Sequence, residues 1–386
     1  MCDEFIPLSV PNLKGNELKY VTEAVETEWV STGGPYVTKF ENKVAEYVNA
    51  KGAVSCQNGT SGLHIALLLT GVNREDMVIV PTLTFIAAVN PVKYIGATPV
   101  FMDCDDSLCM DPLKLREFCE KECDFKENIL RNKKTGKQIK AIVLVHVFGN
   151  MADMEQILEI AKTYNLKVIE DATEALGTYF LEGKYKGCYA GTMGDIGVFS
   201  FNGNKIITTG GGGMIVSNNE QYLNKAKHLT TQAKSDELYY THDEVGYNYR
   251  MTNLQAAIGL AQMETLEDFI QIKNENYKKY QKNIQDIKGL KLLPFREGIR
   301  SNHWFYALFC SEDYYKSRDE LIVFCTQNKV QTRPIWGLIS DQIPYQNDPK
   351  YKIDKASYYW KHVINIPCST NLQESDLKRV TYLLRK

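Results

Sequence analysis

The stretch S200-F-N-G-N-K-I-I-T-T-G-G-G-G-M214 holds the residue best suited to covalent chemistry. Lys205 stands between an apolar run and four consecutive glycines. A flexible primary amine with backbone room around it can condense with a carbonyl group and can carry a proton. An ordinary surface lysine in a glycine-rich hairpin has the same appearance, so its neighbours must decide.

Three further segments supply that company. Q57-N-G-T-S-G62 follows an apolar run and precedes a helix-like one. Glycine admits an anion close to the backbone, and Thr60 or Ser61 falls where a helix start offers unpaired N–H groups. An ordinary N-cap would read the same way. E170-D-A-T-E174 places acids where an apolar run ends. A carboxylate buried there needs a cationic partner, such as a protonated ring nitrogen. Phe85 closes P81-T-L-T-F85 and could cover one face of a ring or pack in the core. Phosphate cradle, acid, and serine plus lysine (Ser200, Lys205) together match the needs of pyridoxal phosphate.

Such groups must be positioned by a scaffold. Short apolar runs occur at Ala53–Cys56, Met77–Val80, Thr98–Met102, Ala141–Val147, Lys167–Ile169, Ile196–Phe201 and Met214–Val216. Helix-period segments such as Gly62–Leu69, Phe85–Tyr94 and Met154–Tyr164 alternate with them. Strands alternating with helices predict parallel pairing through right-handed crossovers in a three-layer α/β domain of about seven strands. Ligands of such sheets bind outside the carboxyl ends of the strands. After Thr252 the pattern changes to one or two long polar helices over Asn253–Ile287, with Leu254, Ala257, Ile258 and Ala261 on one face. The rest mixes short strands (Trp304–Phe309) with helices (Ser317–Asn328, Glu374–Leu383), a smaller α+β unit. Residues 1–252 and 253–386 are the expected domains. The polar stretch Glu122–Lys140 is expected to be a solvated excursion.

The 386 residues carry a net charge of −2 with both signs dispersed, which predicts neither nucleic acid nor an anionic membrane as partner. No apolar run approaches the ~20 residues that span a bilayer. Ten irregularly spaced cysteines without a secretion signal point to reduced thiols and a cytoplasmic location. Cys104, Cys109, Cys119 and Cys123 lack the paired spacing of a zinc site, so no metal is expected.

W29-V-S-T-G-G-P-Y-V37, N58-G-T-S61, P81-T-L-T-F85, E170-D-A-T-E174, S200-F-N-G-N-K205 and G246-Y-N-Y-R-M-T252 together resemble the DegT/DnrJ/EryC1/StrS sugar-nucleotide aminotransferases. The resemblance implies the aspartate-aminotransferase fold, a PLP-dependent transferase of fold type I with a mixed seven-stranded sheet, and a homodimer with shared sites. It implies that Lys205 bonds the cofactor's aldehyde carbon, that Asp171 faces the pyridine nitrogen and that Phe85 stacks on the ring. Gly59, Thr60 and Ser200 are implied as phosphate contacts, and Asn248 and Arg250 as groups reaching the other protomer's phosphate site. Thr32 and His303 lie in segments that line the sugar-nucleotide groove in the family. Two positions depart from the family pattern. Glu174 replaces Gln or His near the cofactor's phenolic oxygen, and G210-G-G-G213 replaces G-E-G-G.

The implied reaction moves an amino group from L-glutamate to a nucleotide-linked keto sugar. K14-G-N-E-L-K-Y20, L292-L-P-F-R-E-G-I-R300 and S301-N-H-W304 resemble the legionaminic-acid branch, which aminates a 2-acetamido-2,6-dideoxy-4-keto hexose. GDP-perosamine-type and 3-keto sugar aminotransferases are the alternatives. Sugar dehydratases of the same fold carry histidine at the lysine position, so Lys205 argues against them. A non-catalytic nucleotide-binding protein on this scaffold would have no need of Lys205, Asp171 and Ser200. The glycines lack G-x-G-x-x-G spacing and precede a strand-like run, which argues against a dinucleotide site.

Overall fold

The computed structural model describes residues 4–236 and 238–386. All seven apolar runs become strands of one sheet. They are β1 (Gly52–Cys56), β2 (Asp76–Pro81), β3 (Thr98–Met102), β4 (Gln138–Val145), β5 (Lys167–Asp171), β6 (Ile196–Ser200) and β7 (Gly213–Ser217). Their lateral order is β1-β7-β6-β5-β4-β2-β3. The pairs from β6 to β3 are parallel. β7 runs antiparallel to both β6 and β1, so the sheet is mixed, as the family resemblance implies. Only a turn-rich stretch with glycines joins β6 to β7, and without a crossover helix the chain can only fold back beside itself.

Two additions widen the sheet. Lys350–Tyr351 pairs parallel with β3. The segment expected as a solvated excursion instead forms a hairpin, Cys123–Lys126 against Ile129–Asn132, that joins the edge of β4. Its turn residues Glu127 and Asn128 both have positive φ, 51° and 63°, as a tight two-residue hairpin turn requires. Cys123 and Leu130 are buried by it.

Helices cover the sheet as the α/β class demands. α1 (Gly59–Leu69) begins directly beyond β1 and packs on β6 and β7. Asn58 caps it, its side chain accepting the Ser61 N–H at 2.8 Å. Gly62 is needed at the contact, because a Cβ there would lie 2.7 Å from Val198 Cγ1. The expected helix over Phe85–Tyr94 is broken into a short turn, Ile86–Ala88, and Asn90–Tyr94, with Pro91 excluding a continuous helix.

α2 (Asn253–Ile284) is one 32-residue helix, about 48 Å long. Thr252 and Gln255 form a capping box at its start. Ala257 and Ala261 are buried there, whereas Leu254 and Ile258 are half-buried. Asn253 also fixes the W29–V37 motif, accepting from the Tyr36 N–H (2.9 Å) and donating to the Trp29 carbonyl (2.6 Å). A second, antiparallel sheet of four strands draws on Leu290–Leu292, Tyr306–Cys310, Arg333–Pro334 and Val363–Ile366. The chain start joins this part, since Ile6 bridges to Val330.

Candidate active site

The carboxyl ends of β1, β2, β5 and β6 open on one cavity of about 340 Å³. Gly59, Thr60, Phe85, Asp171, Glu174, Ser200 and Lys205 all line it. These residues are scattered over 147 positions of sequence, and the parallel strands bring them to one rim.

β5 shows how strand alternation sorts two adjacent acids. Glu170 faces away from the cavity, where it pairs with His146 Nε2 (2.9 Å) and accepts the N–H groups of Gly191 (2.8 Å), Met193 (2.7 Å) and Gly194. The Ala152 N–H donates to His146 Nδ1, so Nε2 bears the hydrogen shared with Glu170. Asp171 points the other way, into the cavity. It is buried, and its carboxyl accepts the Thr173 N–H at 3.1 Å. Burial pushes its pKa above the ordinary value against the pull of Thr173 and Lys205. An acid in that position is completed by a cationic N–H donor.

Lys205 lies in the turn beyond β6, with its N–H on the Asn202 carbonyl. Its side chain is 13% exposed, and Nζ stands 3.9 Å from Glu174 Oε1. Burial lowers the amine's pKa, while Glu174 and Asp171 oppose that shift. The amine is thereby shifted toward the neutral, nucleophilic form. Glu174 accepts the Phe148 N–H at 2.8 Å, and burial raises its carboxyl to about 7 against the pull of Lys205 and that N–H. A carboxyl with such a value holds a proton at neutral pH for part of the time.

The glycine loop is closed by the Phe201 N–H to the Gly212 carbonyl, 2.9 Å. Gly210 and Gly212 have φ of 78° and 157°, a region closed to other residue types without strain. Gly211 stands where the family carries Glu. Its carbonyl accepts from Gln255 Nε2 and from the Thr209 hydroxyl, both at 2.5 Å, so α2 holds the loop.

The start of α1 offers the N–H groups of Gly59 and Thr60 to the cavity, beside the Ser200 hydroxyl. A Cβ on Gly59 would lie 2.9 Å from Thr173 Cγ2 and 3.1 Å from Ser200 Cβ. One on Gly213 would lie 2.6 Å from the Asn58 carbonyl carbon. This cradle excludes side chains and suits a phosphate. With the buried acid and the amine, it fits pyridoxal phosphate.

Four expected residues lie outside this cavity. Thr32 is half-buried in the segment anchored by Asn253. His303, with φ 52°, packs against Tyr277 and Phe295 and lines a different cavity of about 450 Å³ beside Arg300 and Glu267. Burial drives its imidazole down to about 4, so it is neutral. Asn248 is exposed, bridged to Thr231. Arg250 reaches Gln232 Oε1 at 3.5 Å, and its buried Nε has no partner within the described residues. Sequence reading did not single out Trp304, Phe305 and Trp336, which form an aromatic wall of the cavity. Trp304 and Phe305 stack at 4.1 Å with 6° between planes. They come from the second sheet's side of the chain, and no local pattern announces that approach.

A buried amine beside two acids, facing a phosphate cradle at the strand ends of a mixed α/β sheet, defines a pyridoxal-phosphate-dependent aminotransferase of fold type I. The chain matches the sequence model of the DegT/DnrJ/EryC1/StrS aminotransferase family over residues 11–385 and belongs to that family. It is 41% identical to the GDP-perosamine synthase of Escherichia coli O157:H7, over 94% of this chain and 90% of that protein. The GDP-perosamine synthase of Caulobacter vibrioides is 36% identical, over 97% and 96%. Among solved structures, the aminotransferase TlmJ from Streptoalloteichus hindustanus superposes with a TM-score of 0.88 at 25% identity, over 99% of this chain and 98% of that one. The protein is thus a sugar aminotransferase.

Proposed function

We propose that this enzyme transfers the amino group of L-glutamate to C4 of a nucleotide-linked 4-keto-6-deoxy hexose, giving a 4-amino-4,6-dideoxy sugar for surface glycans. The observation that carries the chemistry is the Lys205 amine, 13% exposed and 3.9 Å from Glu174, at the floor of an aromatic-walled cavity. Similarity to two GDP-perosamine synthases supports a GDP-linked substrate. The second reading is a UDP-linked 2-acetamido-4-keto sugar, favoured by the resemblance of Lys14–Tyr20 and of residues 292–304 to the legionaminic-acid branch.

Pyridoxal phosphate, when bound, supplies an electron sink that lets the α-proton of an amino acid depart. The protein's own residues do the rest. Gly59, Thr60 and Ser200 would hold its phosphate, and Phe85 would cover its ring. Asp171 would keep the ring nitrogen protonated. Glu174 would share its proton with the phenolic oxygen. Lys205 would bond the aldehyde carbon and, when free, would hold the proton taken from the donor's α-carbon. Water is excluded by Trp304, Phe305 and Trp336. In a homodimer, Asn248 and Arg250 of one protomer would complete the phosphate site of its partner; the exposure of Asn248 outside this chain's own cavity is compatible with that role. The nine described cysteines are all free thiols, which supports a cytoplasmic location.

The test offers the cofactor-loaded enzyme L-glutamate with GDP-linked 4-keto-6-deoxy hexose, its UDP-linked 2-acetamido counterpart, or a 3-keto isomer. Mass spectrometry and NMR of the product locate the new amine. Amination of the GDP sugar at C4 supports the first reading, and of the UDP sugar alone the second. Amination of only the 3-keto sugar overturns both.

A further inference from the structure

We propose that Lys273 is a positioning residue for Lys205, acting through the indole of Trp304. Lys273 sits in α2 and is 3% exposed. Its Nζ donates to the carbonyls of Trp304 (2.9 Å) and Cys368 (2.6 Å), and no carboxylate lies within 4.0 Å of it among the described residues. Burying an amine is unfavourable unless its hydrogen bonds are made, so this one is committed to those two carbonyls. The Tyr306 hydroxyl donates to the Lys273 carbonyl at 2.7 Å, fixing the backbone that carries it.

Trp304 links the two lysines. Its carbonyl is held by Lys273, its N–H donates to Asn302 Oδ1 (3.0 Å), and its indole Nε1 donates to the carbonyl of Asn204 (2.7 Å), the residue before Lys205. Asn302 in turn donates to the carbonyl of Glu174 at 2.9 Å. The ring so fixed faces the Lys205 amine, with Nζ 4.1 Å from its centroid. Lys205 and Lys273 also line one small cavity of about 10 Å³ with Ser9, Asn12 and Thr208. An aromatic face favours the ammonium form, so the indole, with Glu174 and Asp171, opposes the lowering that burial imposes on Lys205. Facing Lys273 itself are the Cys368 thiol and the Tyr306 ring.

The consequence for turnover rests on Lys205 being the reacting amine, but the test does not. In the full-length chain prepared without cofactor, the pH dependence of Lys205 acetylation by acetic anhydride, read by peptide mass, gives the amine's titration midpoint. Lys273→Met is expected to move that midpoint by about half a pH unit or more. Trp304→Leu should move it in the same direction and at least as far. The double variant should go no further than Trp304→Leu alone. A midpoint unmoved by Lys273→Met in a folded chain, or shifts that add in the double variant, would overturn the proposal. Should Lys273→Met fail to fold, Lys273→Gln keeps an N–H donor for one carbonyl and takes its place. An unmoved midpoint in Trp304→Leu overturns the proposal by itself.

Discussion

Glu174 Oε1 stands 3.9 Å from Lys205 Nζ, the acid buried and the amine 13% exposed, and burial acts on the two in opposite senses. It raises the acid to about 7 and lowers the amine. Each is thereby shifted toward its neutral form. That relationship governs the pH response of the site.

Glu174→Gln should change the pH dependence of stability in the cofactor-free chain. The folded value of about 7 lies above the ordinary 4.5, so the stabilising contribution of the neutral carboxyl is complete below pH 4.5. It is lost as pH climbs through 7. The full loss corresponds to about 3 kcal/mol. The melting temperature of the variant should therefore gain on wild type between pH 5 and pH 8. Parallel curves for the two proteins would remove this acid from the account.

Asp171→Asn should lower kcat by about a hundredfold or more, the scale of a lost electrostatic contact to developing charge. The cofactor should still bind, because the phosphate cradle and Lys205 are intact. Steady-state kinetics beside an absorbance spectrum separate the two effects. Unchanged kcat would show that Asp171 does not touch the ring nitrogen.

Glu170→Gln, one residue away, should behave differently. The new amide nitrogen would face the Gly191 N–H and the His146 Nε2–H, two buried donors left without an acceptor, and should destabilise the fold by about 2–4 kcal/mol. Denaturant unfolding measures this. Intact stability with lost activity would reverse the assignment of the two neighbours.

Gly59→Ala tests the cradle. Its Cβ would press on Thr173 and Ser200. The variant should bind pyridoxal phosphate about tenfold more weakly, about 1.4 kcal/mol. Fluorescence titration gives that value, and unaltered affinity would place the phosphate elsewhere.

The sequence carried much of this architecture because its cues were local. Each of the seven apolar runs, bounded by turn residues, is a strand, and the cavity collects residues that follow four of them. What stayed hidden had no local cue. The hairpin over 123–132 turns on Glu127 and Asn128, and a glutamate at positive φ disguises the tight turn. Trp304, Phe305 and Trp336 reach the cavity by tertiary approach alone. Asn248 and Arg250 lie outside the cavity of a single chain, and residue type does not reveal which protomer's site a side chain serves.

Borohydride reduction of the cofactor-loaded enzyme, followed by peptide mapping, tests the central claim most directly. Cofactor mass should be fixed on the peptide containing Lys205 and on no other. A label on a different lysine, or no label on a chain that still aminates sugars, would contradict the account.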